Sequence, residues 1–108
     1  MSEFARKLQS EDAFVLLDVR ELTELESARI QDSRLQVTPM SLLAARGLAG
    51  LPEAAQDKGA ELLILCHHGA RSGQVAGWLT AKGWTRAFSV SGGIDEYARR
   101  VDSSVGSY

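Results

Sequence analysis

The 108 residues contain a single cysteine and only two histidines. One cysteine excludes an internal disulfide, which leaves Cys66 as either a small buried apolar side chain or a working thiol. His67 and His68 have no further His or Cys to complete a tetrahedral set, and adjacent side chains are expected to diverge, so no metal is expected. Excess charge is missing too: the formal net charge of -2 gives no clustered basic surface, so nucleic acid is not an expected partner. No apolar run is long enough to cross a membrane, and Met1 to Lys7 lacks the apolar core of a signal peptide; the expected address is the cytoplasm. Internal repeats, low-complexity stretches and a second-domain boundary are likewise lacking. What remains reads as one domain over 1–108, with a core over about 14–101 and a polar tail over 102–108. A chain of this size can bury a core without disulfides or metal, and 44% hydrophobic against 24% charged residues is a globular balance.

Strand and helix signals alternate along the chain. Glu3 to Gln9 suits a short amphipathic helix with Phe4 and Leu8 on one face. Phe14-Val15-Leu16-Leu17 is too short and apolar for a helix of its own and reads as a central strand, closed by Asp18-Val19-Arg20-Glu21. Leu22 to Ala28 predicts a short helix with Leu22 and Leu25 inward. Arg34 to Thr38 predicts an edge strand ending at Pro39, and Ser41 is the expected N-cap of a helix over Leu42 to Arg46, which Gly47 stops. Pro52 to Gln56 suits a helical turn in an otherwise unpatterned stretch. Leu62-Leu63-Ile64-Leu65 is a second buried strand. The helix predicted over Ser72 to Lys82 carries Val75, Trp78, Leu79 and Lys82 on one stripe; Gly73 and Gly77, poor helix formers, are expected where it approaches the sheet closely. Ala87 to Val90 is a further strand, Ser91-Gly92-Gly93 a turn, and Ile94 to Val101 a final helix with Ile94, Tyr97, Ala98 and Val101 inward. Trp78, Trp84 and Tyr97 are most simply packing residues. Short helices between apolar strands imply a three-layer α/β domain, a mostly parallel central sheet with helices on both faces.

The chemistry concentrates at Cys66-His67-His68-Gly69-Ala70-Arg71-Ser72, between a buried strand and a helix N-terminus. That order forms an anion-binding cradle, because successive N–H groups point inward and the helix dipole adds positive charge. A thiol at its start becomes a thiolate easily. In a parallel sheet the loops beyond the strand C-termini share one rim, which brings Asp18-Val19-Arg20-Glu21 beside it. Asp18 and Arg20 can equally be a simple ion pair at a strand end.

Leu16-Leu17-Asp18-Val19-Arg20, then Ile30 and Pro39, then Cys-x-x-Gly-x-Arg-Ser over Cys66 to Ser72, and Ser91-Gly92-Gly93-Ile94 before a helix together resemble the single-domain rhodanese (thiosulfate sulfurtransferase) family, from about Phe14 to Val101. The resemblance implies that Cys66 takes a sulfane sulfur from a thiosulfate-like donor, carries it as a persulfide and passes it to a thiophilic acceptor, without a cofactor. It implies that His67, His68, Gly69, Ala70, Arg71 and Ser72 bind the substrate, Arg71 supplying the cation that meets the donor. Among supporting residues, Asp18 or Glu24 is expected to orient Arg71 and Arg20 to brace the loop. Four residues separate Cys66 from Arg71, whereas related phosphatases and arsenate reductases use five; the shorter ring suits one sulfur atom. The alternative is a binding or redox-sensing module of the same fold without turnover.

The chain departs from the family pattern at Ala28-Arg29-Ile30, where Gly-His-Ile is common, and at Tyr97, where tryptophan is common. The end of the chain, Gly93 to Tyr97 with Val101-Asp102 and Val105 to Tyr108, resembles rhodanese domains fused to adenylating enzymes, which implies a ubiquitin-like sulfur-carrier protein as acceptor.

Overall fold

Two apolar runs, each able to bury both faces, set the architecture of the computed structural model, which describes residues 1–108. They form β1 (Val15–Asp18) and β3 (Leu62–Leu65), every residue of which is buried. Runs of this kind belong at the centre of a parallel sheet covered on both sides. The shorter, half-exposed β2 (Leu35–Val37) and β4 (Ala87–Ser89) take the edges, giving four parallel strands in the order β2-β1-β3-β4. Helices α2 (Met40–Arg46) and α3 (Ala70–Ala81) cover one face, and α1 (Ser2–Gln9) and α4 (Gly93–Arg100) the other.

Alternation along the strands assigns the two cores. Val15, Leu17, Val19, Leu62, Ile64 and Cys66 face Leu43 of α2 and Val75 and Leu79 of α3. Leu16, Leu63 and Leu65 face Phe4 of α1 and Ile94 and Tyr97 of α4. Trp84, whose Nε1 donates to Ala55 O at 2.9 Å, seals the first core, and Phe4 meets Tyr97 edge-on in the second. The result is a three-layer α/β domain. No helix is long and apolar enough to cross a membrane.

Several local expectations are corrected. Leu22 is 67% exposed, because Leu22–Glu26 forms a 3-10 turn in which Glu21 and Glu24, three apart on one edge, close a capping box and face the protein. Val101 is exposed because α4 ends at Arg100, and Lys82 lies beyond the end of α3 in solvent. Gly73 and Gly77 sit on the outer face of α3 with nothing within 4 Å of an added Cβ, so close packing against the sheet is not their role. Ser41 lies inside the first turn of α2, and its hydroxyl donates to Glu21 Oε1 at 2.7 Å; the helix starts one residue after Pro39, whose fixed φ suits the entry. The helical turn expected over Pro52 to Gln56 forms as a 3-10 turn at Glu53–Ala55, and a further one forms at Gly47–Gly50. Within the polar tail Ser103–Val105 forms another 3-10 turn, and Gly106 bridges antiparallel to Ala28.

Asp18 pairs in register with Leu65, and Val19 N donates to Leu65 O at 3.0 Å. The register therefore places Val19-Arg20 and Cys66-His67 on one rim, at the carboxyl ends of adjacent strands.

Candidate active site

Helix α3 begins at Ala70, two residues earlier than its periodicity predicts, and the cysteine explains why. The first N–H groups of a helix need acceptors. Here the Cys66 sulfur takes the place of a capping side chain, accepting Gly69 N–H at 3.0 Å and Ser72 N–H at 3.3 Å. Gly69 makes this turn with φ 107°, a left-handed conformation that disfavours side chains.

The carbonyls of the same loop are drawn off by the opposite layer. Ile94 N donates to Cys66 O at 2.9 Å and Asp95 N to His67 O at 3.1 Å, so the first turn of α4 takes up two loop acceptors and leaves the N–H groups facing the sulfur. Only glycine fits at the junction, since a Cβ on Gly93 would fall on the Cys66 and His67 carbonyls. The Gly92-Gly93 pair thus shapes the cradle from a separate element.

Cys66 is 1% exposed, yet its sulfur is surrounded by donors and not only by hydrocarbon. Burial pushes the thiol up, but the Ser72 hydroxyl and the amides of Ser72, Gly69 and Arg71 outweigh it, so the thiol lies below its ordinary value. Ser72 Oγ lies 3.4 Å from the sulfur, 3.2 Å from Gly69 O and 2.7 Å from Ser89 Oγ. One hydroxyl hydrogen cannot serve all three. When Ser89 donates to Ser72, that hydrogen is free for the thiolate. Replacing Ser72 with alanine removes this donor and keeps both amides, so the thiol should titrate at higher pH, and alkylation by iodoacetamide near neutral pH should slow by about threefold to tenfold. Alkylation rates measured across pH check this; an unchanged profile would show that the amides act alone.

Arg71 stands on the first turn of α3 and is gripped from across the rim. Its Nη1 and Nη2 donate to Glu24 Oε2 and Oε1 at 2.7 and 2.8 Å, an end-on bidentate pair. Two of five guanidinium N–H groups are used, which leaves three for an incoming anion. Bonding to Arg71, against the opposing effect of burial, holds the Glu24 carboxyl down at about 2 from an ordinary 4.5. The pair is therefore charged across the neutral range and loses its contribution only as pH falls below the usual carboxylate range.

Of the two carboxylates expected near Arg71, Glu24 meets it and Asp18 does not. Asp18 is committed to Arg20, whose Nε and Nη2 donate to it at 3.0 and 2.7 Å, both side chains being almost fully buried. Arg20 does not touch the cysteine loop either. Its Nη1 donates to Ala28 O at 2.8 Å, Glu24 O at 3.4 Å and Tyr108 Oη at 2.9 Å, so it braces the segment that carries Glu24. Ala70 supplies the first residue of α3 and no polar side chain.

The two histidines do not diverge as expected. Their rings lie 3.8 Å apart, tilted by 31°, and Asp95 faces both, 4.0 Å from His67 Nε2 and 3.7 Å from His68 Nδ1. One ligand atom from each of His67, His68 and Asp95 lies within 4.8 Å of the others, so a group of metal-ligand type does gather at this rim, without the fourth His or Cys of a tetrahedral set. Burial, with the His68 charge adding to it, lowers the His67 imidazole, which is uncharged at neutral pH.

Sequence reasoning missed Tyr108 and Ser89. Tyr108 stacks on His67, with centroids 3.6 Å apart, and Ser89 reaches the thiol through Ser72. An aromatic residue with a polar tip in an otherwise polar tail was the one available signal for the first. A concavity of about 680 Å³ between α1 and β4 contains none of residues 66–72. The site around Cys66 is instead a small ring of donors, suited to a few-atom anion.

Residues 1–100 match the family model of the rhodanese-like domain. The chain is 32% identical over 95 residues to a sulfurtransferase from Allochromatium vinosum, covering 88% of this chain and 81% of that protein. It is also 32% identical over 97 residues to the chloroplastic rhodanese-like/PpiC domain-containing protein 12 of Arabidopsis thaliana, covering 90% of this chain but spanning only 31% of that longer relative. In three dimensions it is similar to SSP1007 from Staphylococcus saprophyticus, with a TM-score of 0.72 and 25% identity over 93% of this chain and 91% of the other.

Proposed function

The chain belongs to the rhodanese-like domain family and is a homologue of sulfurtransferases, and from this we propose that it carries sulfane sulfur as a persulfide on Cys66, taking it from a thiosulfate-like donor and passing it to a thiophilic acceptor. The observation that carries the reading is the convergence of Gly69 N–H, Ser72 N–H and the Ser72 hydroxyl on the Cys66 sulfur. Those donors favour the thiolate, and a thiolate needs no general base to attack sulfur.

In the first half-reaction the Cys66 thiolate attacks the outer sulfur of thiosulfate. A new S–S bond forms, the S–S bond of thiosulfate breaks, and its electron pair leaves with sulfite. Arg71, with three N–H groups free, meets the sulfonate oxygens and then the departing sulfite. In the second half-reaction a nucleophile attacks the outer sulfur of the persulfide and the electron pair returns to Cys66 as thiolate. With cyanide the product is thiocyanate; a ubiquitin-like sulfur carrier is the proposed acceptor in the cell. Between the two steps the persulfide is an anion whose charge lies mainly on the outer sulfur, and the remaining N–H groups of the loop are the donors proposed to receive it. The four-residue spacing from Cys66 to Arg71 supports a single-sulfur cargo over a tetrahedral phosphate.

The test is the intact mass of the protein after incubation with thiosulfate. The expected result is a gain of one sulfur atom, about 32 Da, removed by cyanide with release of thiocyanate. A protein whose mass never changes, or whose added mass resists cyanide, would instead favour the binding-module reading.

A further inference from the structure

The reaction described above employs Cys66, the loop amides and Arg71, and gives Tyr108 no part. The structure nevertheless holds this half-exposed residue at the rim. After α4 the chain returns across the rim: Arg29 N donates to Val105 O at 2.8 Å, and Gly106 pairs with Ala28. This delivers Tyr108 to the cradle. Its ring lies face to face with His67, centroids 3.6 Å apart and planes within 13°. Its hydroxyl stands between opposite charges, accepting from Arg20 Nη1 at 2.9 Å and donating to Glu24 Oε1 at 3.1 Å. Partial burial is the largest influence on this half-exposed phenol and raises it above its ordinary value, so the hydroxyl keeps the proton it donates.

Glu24 is where these contacts matter. Its carboxylate accepts from Arg71 Nη1 and Nη2, from Glu21 N at 2.8 Å and from Tyr108 Oη, so Oε1 and Oε2 each take two donors. Four donors on its two oxygens restrain the carboxylate against rotation, and the guanidinium bonded to it is restrained with it. Charge alternates along the line Asp18, Arg20, Glu24, Arg71, and the neutral Tyr108 hydroxyl joins its two halves.

We propose that Tyr108 is a positioning residue for anion binding: its hydroxyl pins Glu24, and through Glu24 the Arg71 guanidinium, while its ring holds His67 against the loop. This rests on the reading of Arg71 as the group that receives an anionic donor. It goes beyond that reading by making donor affinity depend on a contact from the segment after α4.

Tyr108→Phe keeps the ring and removes both hydroxyl bonds; Tyr108→Ala removes the stack as well. Sulfite, the anionic product, serves as a probe that leaves a free thiol unmodified, and its Kd can be read from the amide resonances of residues 66–72. For Tyr108→Phe, the sulfite Kd and the thiosulfate KM should rise by about threefold to tenfold, with kcat within about twofold of wild type. Tyr108→Ala should weaken both further. A residue of purely structural importance would lower the melting temperature and leave the Kd of the folded protein unchanged. That result, a wild-type Kd in Tyr108→Phe, or a wild-type protein that binds no sulfite at the loop would each overturn the inference. A wild-type protein that binds sulfite but gains no sulfur from thiosulfate would refute persulfide transfer, while the sulfite comparison would still decide the role of Tyr108.

Discussion

Cys66→Ser should abolish sulfur transfer while leaving the domain folded. Serine retains an oxygen able to accept the Gly69 and Ser72 amides that now bond the sulfur, so the start of α3 keeps its cap. The exchange should cost about 1 kcal/mol or less, a melting shift of at most about 4–8 °C for a domain of this size. The chemistry has no such tolerance. An alcohol in this cradle stays protonated near neutral pH, with no base placed to activate it, and oxygen cannot form the S–S bond that holds the cargo. Thiosulfate:cyanide turnover should fall on the order of a thousandfold or more, to the rate of the uncatalysed exchange, and the thiosulfate-dependent mass gain should disappear. Thiocyanate formation that survives the substitution would remove Cys66 from the reaction. An aryl phosphate assay adds a second check, because Cys66-dependent hydrolysis would mean that the ring accepts a tetrahedral oxyanion after all.

This prediction could be framed from the sequence because the site's centre is local. Strand, turn and helix N-terminus follow one another from Leu62 to Ala81, and the identity of each residue there constrains its own backbone. The strands were legible for the same reason: Val15 to Asp18 and Leu62 to Leu65 are buried on both faces, so their apolar character is continuous. What sequence could not show is the outer layer of the site, where partners are far apart along the chain. Tyr108 bonds Arg20 and Glu24 across separations of 88 and 84 residues, and no periodicity encodes such a meeting. Leu22 was misread because an apolar residue in a short helix is expected to face inward, yet here the inward edge of the turn is occupied by Glu21 and Glu24. Gly73 and Gly77 were misread because a glycine pair four apart suggests close packing, whereas both lie on the solvent side of α3. In each case a tertiary charge contact or an exposed face overrode a local preference.

Asp18→Ala should be the most destabilising substitution at the rim, although the Asp18 carboxylate bonds only Arg20 and no residue of the cysteine loop. Asp18 and Arg20 are 1% and 0% exposed, and the guanidinium makes its closest contact with Asp18 Oδ2, at 2.7 Å. Removing the carboxylate leaves a buried cation without its counter-ion and frees the Arg20 N–H, which now donates to Asp18 Oδ1 at 3.1 Å. Breaking a buried pair in this way costs about 3–5 kcal/mol, a fall of roughly 15–25 °C in melting temperature for a domain of this length. Replacing both members, as Asp18→Leu with Arg20→Met, should be less harmful than Asp18→Ala alone, since no charge is then stranded. Recovery should be incomplete. Arg20 also satisfies the Ala28 carbonyl at 2.8 Å and the Tyr108 hydroxyl at 2.9 Å, and orphaning a buried acceptor costs about 1–3 kcal/mol. A double-mutant cycle in urea separates the pair's own coupling from these additional bonds. A cost below about 1 kcal/mol for Asp18→Ala would place the pair among solvent-screened contacts and remove it as the anchor of the Glu24 segment. If the full cost is found, the folded double variant should still bind thiosulfate more weakly than wild type, because Arg20 also bonds the Glu24 carbonyl and the Tyr108 hydroxyl on which the grip on Arg71 depends.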